Sequence, residues 1–223
     1  MKKEVRNLVA LGLVVVVVAV IATMLYRQSN QPVQTVSKDE ISEALIRPDS
    51  PTLGPADAKV TIVEFLDPEC ESCAAFAPII KRVLKEFDGR VRLVIRYMPL
   101  HRNARLAVAY TEAAGEQGKY WEMQEKLFQN QAQWGEIHGH GPQPVRPEPQ
   151  VLFDKWAGEL GLNVEQLKVS AAEKRHIEKA DRDLADGRSL GVRATPTIFV
   201  NGRRLTRLNE NDLRSMINME LSK

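Results

Sequence analysis

Two cysteines are the whole thiol inventory of this 223-residue chain, and they stand three positions apart as Cys70-Glu71-Ser72-Cys73. Upstream lies a β-branched, alternating run, Lys59 to Leu66. Downstream, Ala74-Ala75-Phe76-Ala77-Pro78-Ile79-Ile80 opens a helical pattern. A C-x-x-C where a strand hands over to a helix is the layout of a thiol–disulfide redox centre. The first cysteine then sits at the helix N-terminus, where unpaired backbone N–H groups and the helix dipole favour a thiolate. The second lies one turn inside, close enough to close a disulfide or to expel a mixed-disulfide partner.

Competing readings of the pair are weaker. A structural zinc site needs four ligands, and the sequence offers no second C-x-x-C or Cys/His pair at suitable spacing. A structural disulfide across two residues closes almost no loop and would restrict the unfolded chain very little. His138-Gly139-His140, with His101 or His176 as help, could bind copper or zinc, although loop histidines are commonly solvated. The formal net charge of +2 argues neither for nor against an acidic partner, but no basic patch interleaved with aromatics stands out, which speaks against nucleic acid.

The N-terminus carries the second strong signal. Leu8 to Tyr26 holds no charged residue, and Val14 to Val18 is a pure valine run. At about 1.5 Å per residue this segment can span a hydrocarbon core as one transmembrane helix. Lys2, Lys3 and Arg6 precede it, which places the N-terminus in the cytoplasm and the rest outside. Val20-Ile21-Ala22 offers a loose cleavage site for a secretory leader, but the apolar run is long for that role and continues through Tyr26. Either way the domain is delivered to an extracytoplasmic compartment, where disulfide chemistry has substrates. The expectation is a cytoplasmic N-terminus and single-pass inner-membrane anchor over residues 1–26, with the catalytic domain periplasmic or otherwise extracytoplasmic.

Residues 27–51 read as a linker. Within it, Ser37-Lys38-Asp39-Glu40 has capping-box spacing and opens a short amphipathic helix bearing Ile41, Leu45 and Ile46, ended by Pro48 and Pro51. Residues 52–223 then read as one α/β domain. Strand 59–66 leads to a helix from about Cys70 to Phe87 with Pro78 inside it. A second strand, Val91–Tyr97, returns parallel. A helical stretch of about 103–190 follows, with segments Leu106–Glu116, Tyr120–Gln131, Gln150–Leu160, Val164–Ala172 and His176–Leu190. Thr197–Val200, Asn201-Gly202 and Arg203–Leu205 read as a hairpin with a type I′ turn. A last helix runs from Glu210 to Leu221, capped by Asn209. Trp121, Trp134 and Trp156 are expected to pack the helical insertion. Asp181-Arg182-Asp183 reads as a solvated helix face with ion pairs worth little.

At this point the chain resembles a known family. Val63 to Cys73, together with Gly191-Val192-Arg193-Ala194-Thr195-Pro196-Thr197-Ile198-Phe199-Val200-Asn201-Gly202, is similar to DsbA-like proteins of the thioredoxin superfamily. The resemblance covers essentially residues 52–222. It implies a thioredoxin fold with a helical domain inserted between the second and third core strands, and thiol–disulfide oxidoreductase activity without a cofactor. It also implies protein thiols and disulfides as substrates and a redox partner in the membrane. On that pattern Cys70 matches the exposed nucleophile and Cys73 the buried resolving thiol. Pro196 matches a cis proline, and Thr195 before it offers backbone to an extended substrate strand. Glu64 falls where the superfamily carries a buried acid that can take the Cys73 proton. Glu71 and Ser72, between the cysteines, belong to the substrate-facing turn.

One departure from the pattern concerns charge. Strongly oxidising relatives carry a basic or aromatic residue beside the second cysteine, whereas here Asp67, Glu69 and Glu71 cluster around the pair. A crowd of carboxylates would disfavour the Cys70 thiolate, so the sequence points to a milder oxidant. Oxidase, reductase and isomerase directions all stay open. The reading from a different class is a non-catalytic metal-handling or peptide-binding module.

Overall fold

The structure, a computed structural model, describes residue 20 and residues 44–136 and 145–223. The apolar run 8–26 (Val20 apart), Ser37 to Ile41, His138 and His140 therefore lie outside the described residues. Among the described residues no helix is long and apolar enough to cross a membrane. The elements below all fall within residues 38–223, one of two compact units into which the chain divides.

Strand β2 (Val60–Leu66) is buried at every residue, which its β-branched and aromatic sequence suits. It runs parallel to β3 (Val91–Tyr97), from Val60 opposite Val91 to Leu66 opposite Tyr97. On its other side it lies antiparallel to β4 (Thr197–Val200), with Glu64 opposite Ile198. β5 (Arg203–Arg204) pairs back onto β4, and β1 (Thr52–Leu53) adds an antiparallel edge to β3. The order across the sheet is β1-β3-β2-β4-β5. The β4–β5 turn has φ 44° at Asn201 and 79° at Gly202, the two positive values that a type I′ turn requires. The short edge strand β1 was not foreseen, because two residues carry no readable alternation.

Eight helices complete the described fold: α1 (Glu71–Glu86), α2 (Ala104–Glu116), α3 (Tyr120–Gln129), α4 (Gln131–Trp134), α5 (Pro149–Glu159), α6 (Val164–Ala171), α7 (Lys174–Ser189) and α8 (Glu210–Leu221). The run expected to be one helix over 120–131 breaks at Asn130, whose φ of −113° leaves helical geometry. α8 is capped as its sequence indicates, with Asn209 Oδ1 accepting from Asp212 N–H at 2.9 Å.

Period-two alternation sends the two faces of the sheet into different cores. Ile62 and Leu66 join Phe76, Ile80 and Val83 of α1 and Leu213 and Ile217 of α8. Val63 and Phe65 join Met98, Leu184 of α7 and Leu45. A third cluster, built from α2 to α6 around Tyr110, Met123, Phe153 and Trp156, forms the heart of the helical stretch. Trp134 and Trp156 pack there as expected. Trp121 does not: it lies against the cluster formed by α1 and the sheet. α7 comes close enough to the sheet that a Cβ on Gly187 would meet Met98 Sδ and the Phe65 ring at 3.0 Å. Glycine is the side chain that allows this approach.

The expected solvated face at Asp181-Arg182-Asp183 needs a correction. Asp181 and Arg182 are exposed and pair with Arg105 and Asp49, but Asp183 is buried. Its Oδ1 accepts from the fully buried Arg96 of β3 at 2.8 Å, and its Oδ2 accepts the Tyr97 N–H at 3.1 Å. Arg96 also pairs with Asp186 and donates to the Ala44 carbonyl, while Arg47 grips Asp186 through two 2.9 Å bonds. The exposed look of an alternating D-R-D triplet hides this, because in a helix only one of three consecutive residues need face the sheet. The same ion cluster fastens residues 44–47 to the domain, where Leu45 is buried. Breaking a buried charge pair by removing one partner costs about 3–5 kcal/mol. Arg96→Met should therefore lower the urea unfolding free energy by about that amount, and a loss under ~1 kcal/mol would show that the pair is not the clamp between strand and helix.

Candidate active site

The strand-to-helix handover is built by Asp67. β2 ends at Leu66, and the Asp67 carbonyl accepts the Cys70 N–H at 3.1 Å, turning the chain into α1. Cys70 is the N-cap, with extended dihedrals and no side-chain capping bond. Its sulfur is thus left to the first-turn N–H groups. The Cys73 thiol donates to it, and so do the Thr195 hydroxyl and the backbone N–H groups of Cys73 and Ser72. Against the opposing effect of burial these hold the Cys70 thiol down to about 5. When protonated, Cys70 Sγ can donate to the Thr195 carbonyl oxygen, 3.4 Å away. The Thr195–Pro196 bond is cis, as the resemblance implies.

Cys73, one turn into α1, is the opposite case. It has no exposed surface, and burial above all, then the Cys70 sulfur and the Glu64 charge, push its thiol far above the ordinary range. Both residues are free thiols. Cys70, expected to be exposed, retains only 7% of its surface, yet it remains the accessible sulfur of the pair. Glu64 sits on the buried strand β2 with 4% exposure. Burial first, and then the Cys70 thiolate, raise its carboxyl to about 8. Cys70, Cys73, Thr195, Pro196 and Glu64 are therefore brought together, while Glu71 and Ser72 stand exposed on the first turn of α1.

The expected crowding of Cys70 by carboxylates is corrected by where two of those side chains go. Asp67 is fully buried and its carboxylate accepts from Glu69 N–H (2.7 Å), Leu100 N–H (2.6 Å), His101 N–H (3.0 Å) and the His101 ring at Nδ1 (2.8 Å). Glu69 accepts from Asn103 N–H and Nδ2 and from Glu136 N–H, at 2.6 to 2.8 Å. Burial raises its carboxyl, and the Asn103 bonds pull it back. Both carboxylates are tied into the loop after β3 and the end of α4 instead of facing the sulfur. Two of the three carboxylates invoked for a milder oxidant are thus engaged elsewhere, and Cys70 is held near 5 in their presence. His101, offered above as a metal ligand, is instead held by Asp67, which with Cys70 favours its charged form although burial works against it. His176 is buried between Ser170 and Glu116. Among the described residues no three His, Cys, Asp or Glu side chains gather where a metal ion could sit.

The comparisons with known proteins agree with this geometry. The thioredoxin family model matches residues 47–219. Crystallised BdbD from Bacillus subtilis is 26% identical and superposes with a TM-score of 0.66 over 78% of this chain and 94% of its own. The thiol-disulfide exchange protein alpha-DsbA2 from Wolbachia pipientis, 19% identical, shares the fold at a TM-score of 0.64 over 85% of this chain and 98% of its own. A Na(+)/H(+) antiporter NhaA from Herminiimonas arsenicoxydans is 35% identical over 152 residues, which is 68% of this chain but 22% of the antiporter. The chain thus spans about a fifth of the length of that curated relative. With the family match covering residues 47–219, and Cys70 poised at the start of α1 opposite cis-Pro196, the chain belongs to the thioredoxin family, on its DsbA-like pattern.

Proposed function

We propose that the chain is a protein thiol–disulfide oxidoreductase that works through Cys70 and Cys73. The observation that carries this reading is the asymmetry of two touching thiols, one held down to about 5 and the other pushed far up. In the oxidised form, a substrate thiolate attacks the Cys70 sulfur, and the Cys70–Cys73 bond breaks with its electron pair going to Cys73. Cys73 leaves as a buried, disfavoured thiolate and takes a proton from Glu64, whose burial raises its carboxyl and favours the protonated form. A second substrate thiolate then attacks the substrate sulfur of the mixed disulfide, and Cys70 departs as a stabilised thiolate. A stabilised leaving thiolate favours passing the disulfide to the substrate, so this direction is the one we assign. The same steps reversed run as reduction, with Glu64 taking the Cys73 proton. The carbonyl and N–H groups flanking Pro196 offer an extended substrate a strand to pair with. No ion antiport is assigned to the chain from a likeness that spans a fifth of the antiporter.

We also propose that residues 8–26 anchor the chain in the inner membrane with the catalytic domain in the periplasm, where a membrane redox partner can recharge the pair. What supports this is the uncharged length of that segment behind Lys2, Lys3 and Arg6.

Cys70→Ser should abolish insulin disulfide exchange, and Cys73→Ser should trap a mixed disulfide through Cys70; faster alkylation at Cys73 than at Cys70 would reverse the assignment. Thiolate absorbance of the reduced protein should fall with a midpoint near pH 5 as the medium is acidified, whereas a midpoint above 8 would leave Cys70 an ordinary thiol. Glu64→Gln should slow exchange at the Cys73 step by tenfold or more. Glu64 binds its proton more tightly in the fold than in the unfolded chain. Its burial therefore costs nothing below pH 4.5, costs more as pH rises, and levels off above about 8. The Gln variant should accordingly be the more stable protein at pH 7, by ~3 kcal/mol, with the difference vanishing below pH 4.5. Finally, the full chain should stay with the membrane through a carbonate wash, and release into the supernatant would rule out the anchor.

A further inference from the structure

Beside the active site, and sharing only Glu64 with it, lies a cavity of about 520 Å³ between α1, α3 and the β1–β3 edge of the sheet. Its walls are apolar: Leu53, Ile80, Leu84, Leu93, Trp121 and Phe128 are among them. Cys70, Cys73, Thr195 and Pro196 do not line it. At its margin Lys81 and Glu125 are exposed and pair at 3.0 Å. Two buried polar residues line the cavity, beside the exposed Lys81, Glu125 and Gln129. One is Glu64. The other is Gln124, which is 9% exposed and whose Oε1 accepts no hydrogen bond from the described residues.

A buried carbonyl oxygen without a donor is destabilising, and native proteins rarely keep one without a use. The volume falls within the range of small-molecule sites, roughly 300–1,000 Å³, and an apolar wall with a few convergent polar groups is their usual make-up. Apolar walls of this kind desolvate an ion at high cost, which favours a neutral ligand. We propose that this cavity is a binding site for a small neutral ligand with a flat apolar body and one hydrogen-bond donor, received by Gln124 Oε1 beside Glu64. A ligand seated there displaces water from the Glu64 side of the site and hinders the proton transfer to and from Cys73. This coupling rests on the proton-relay reading of Glu64, whereas the binding itself does not.

Indole carries a suitable N–H donor, and benzothiophene has the same shape with sulfur in its place. Calorimetric titration of the reduced full-length chain should show indole binding about fivefold or more tightly than benzothiophene, the margin of one hydrogen bond. Gln124→Met, which keeps length and apolar volume, should erase that difference, and Ala77→Phe should fill the cavity and abolish binding of both. Equal affinities in the wild type, or no binding of either probe, would overturn the site without reliance on any variant. Saturating indole should also slow resolution of the Cys70 mixed disulfide severalfold in the wild type and leave the rate of Glu64→Gln unchanged. Selective binding with no effect on the wild-type rate would remove the coupling. If Glu64→Gln itself resolves at the wild-type rate, the relay reading falls while the ligand site stands.

Discussion

The contact between the Cys73 thiol and the Cys70 sulfur is the interaction on which the rest of the site depends. One sulfur receives the free N–H groups at the start of α1; the other is sealed one turn inside, next to a strand carboxyl. The same hydrogen bond that stabilises the Cys70 thiolate holds the proton on Cys73. A pair with two equal thiols would have no preferred sulfur for attack and none for resolution. Helix geometry at the N-terminus and burial at one turn's depth together separate the two affinities for protons, and that separation is what gives the exchange its order.

Holding this arrangement requires an exact handover from β2 to α1, and the scaffold concentrates polar groups there. Asp67 turns the chain toward Cys70 through its carbonyl and ties the loop after β3 through its carboxylate. Glu69 ties the start of α2 to the end of α4. On the other face of the sheet, Arg96 and Asp183 bind β3 to α7 and draw residues 44–47 onto the domain. Each of these charges is buried and fully engaged or nearly so, which makes the frame around the thiols stiff at the points where a shift would separate them.

Much of this was legible in the residues. Alternation and β-branching marked β2 and β3, the Asn201-Gly202 pair marked its turn, and Asn209 marked the start of α8, since each signal is local. The cis bond at Pro196 and the burial of Glu64 came through resemblance. The roles of Asp67, Glu69 and Asp183 were misread for one reason: a carboxylate's partner is set by long-range packing, and spacing in the chain does not report it. Arg96 did leave a trace, as a charge near the end of a largely apolar strand, although Arg92 on the same face carries the same signal and stays half-buried. Trp121 and Gln124 were unreadable as cavity residues because the cavity exists only between elements about forty residues apart in the chain.

The most direct measurement is the titration of the Glu64 carboxyl carbon by NMR in the reduced full-length chain carrying ¹³C-labelled glutamate, with Glu64→Gln identifying the resonance. A midpoint near 8, moving down when Cys70→Ser removes the neighbouring thiolate, is the expected result. A midpoint near 4.5 in both proteins would contradict it, and would leave Cys73 without the proton partner on which the proposed exchange depends.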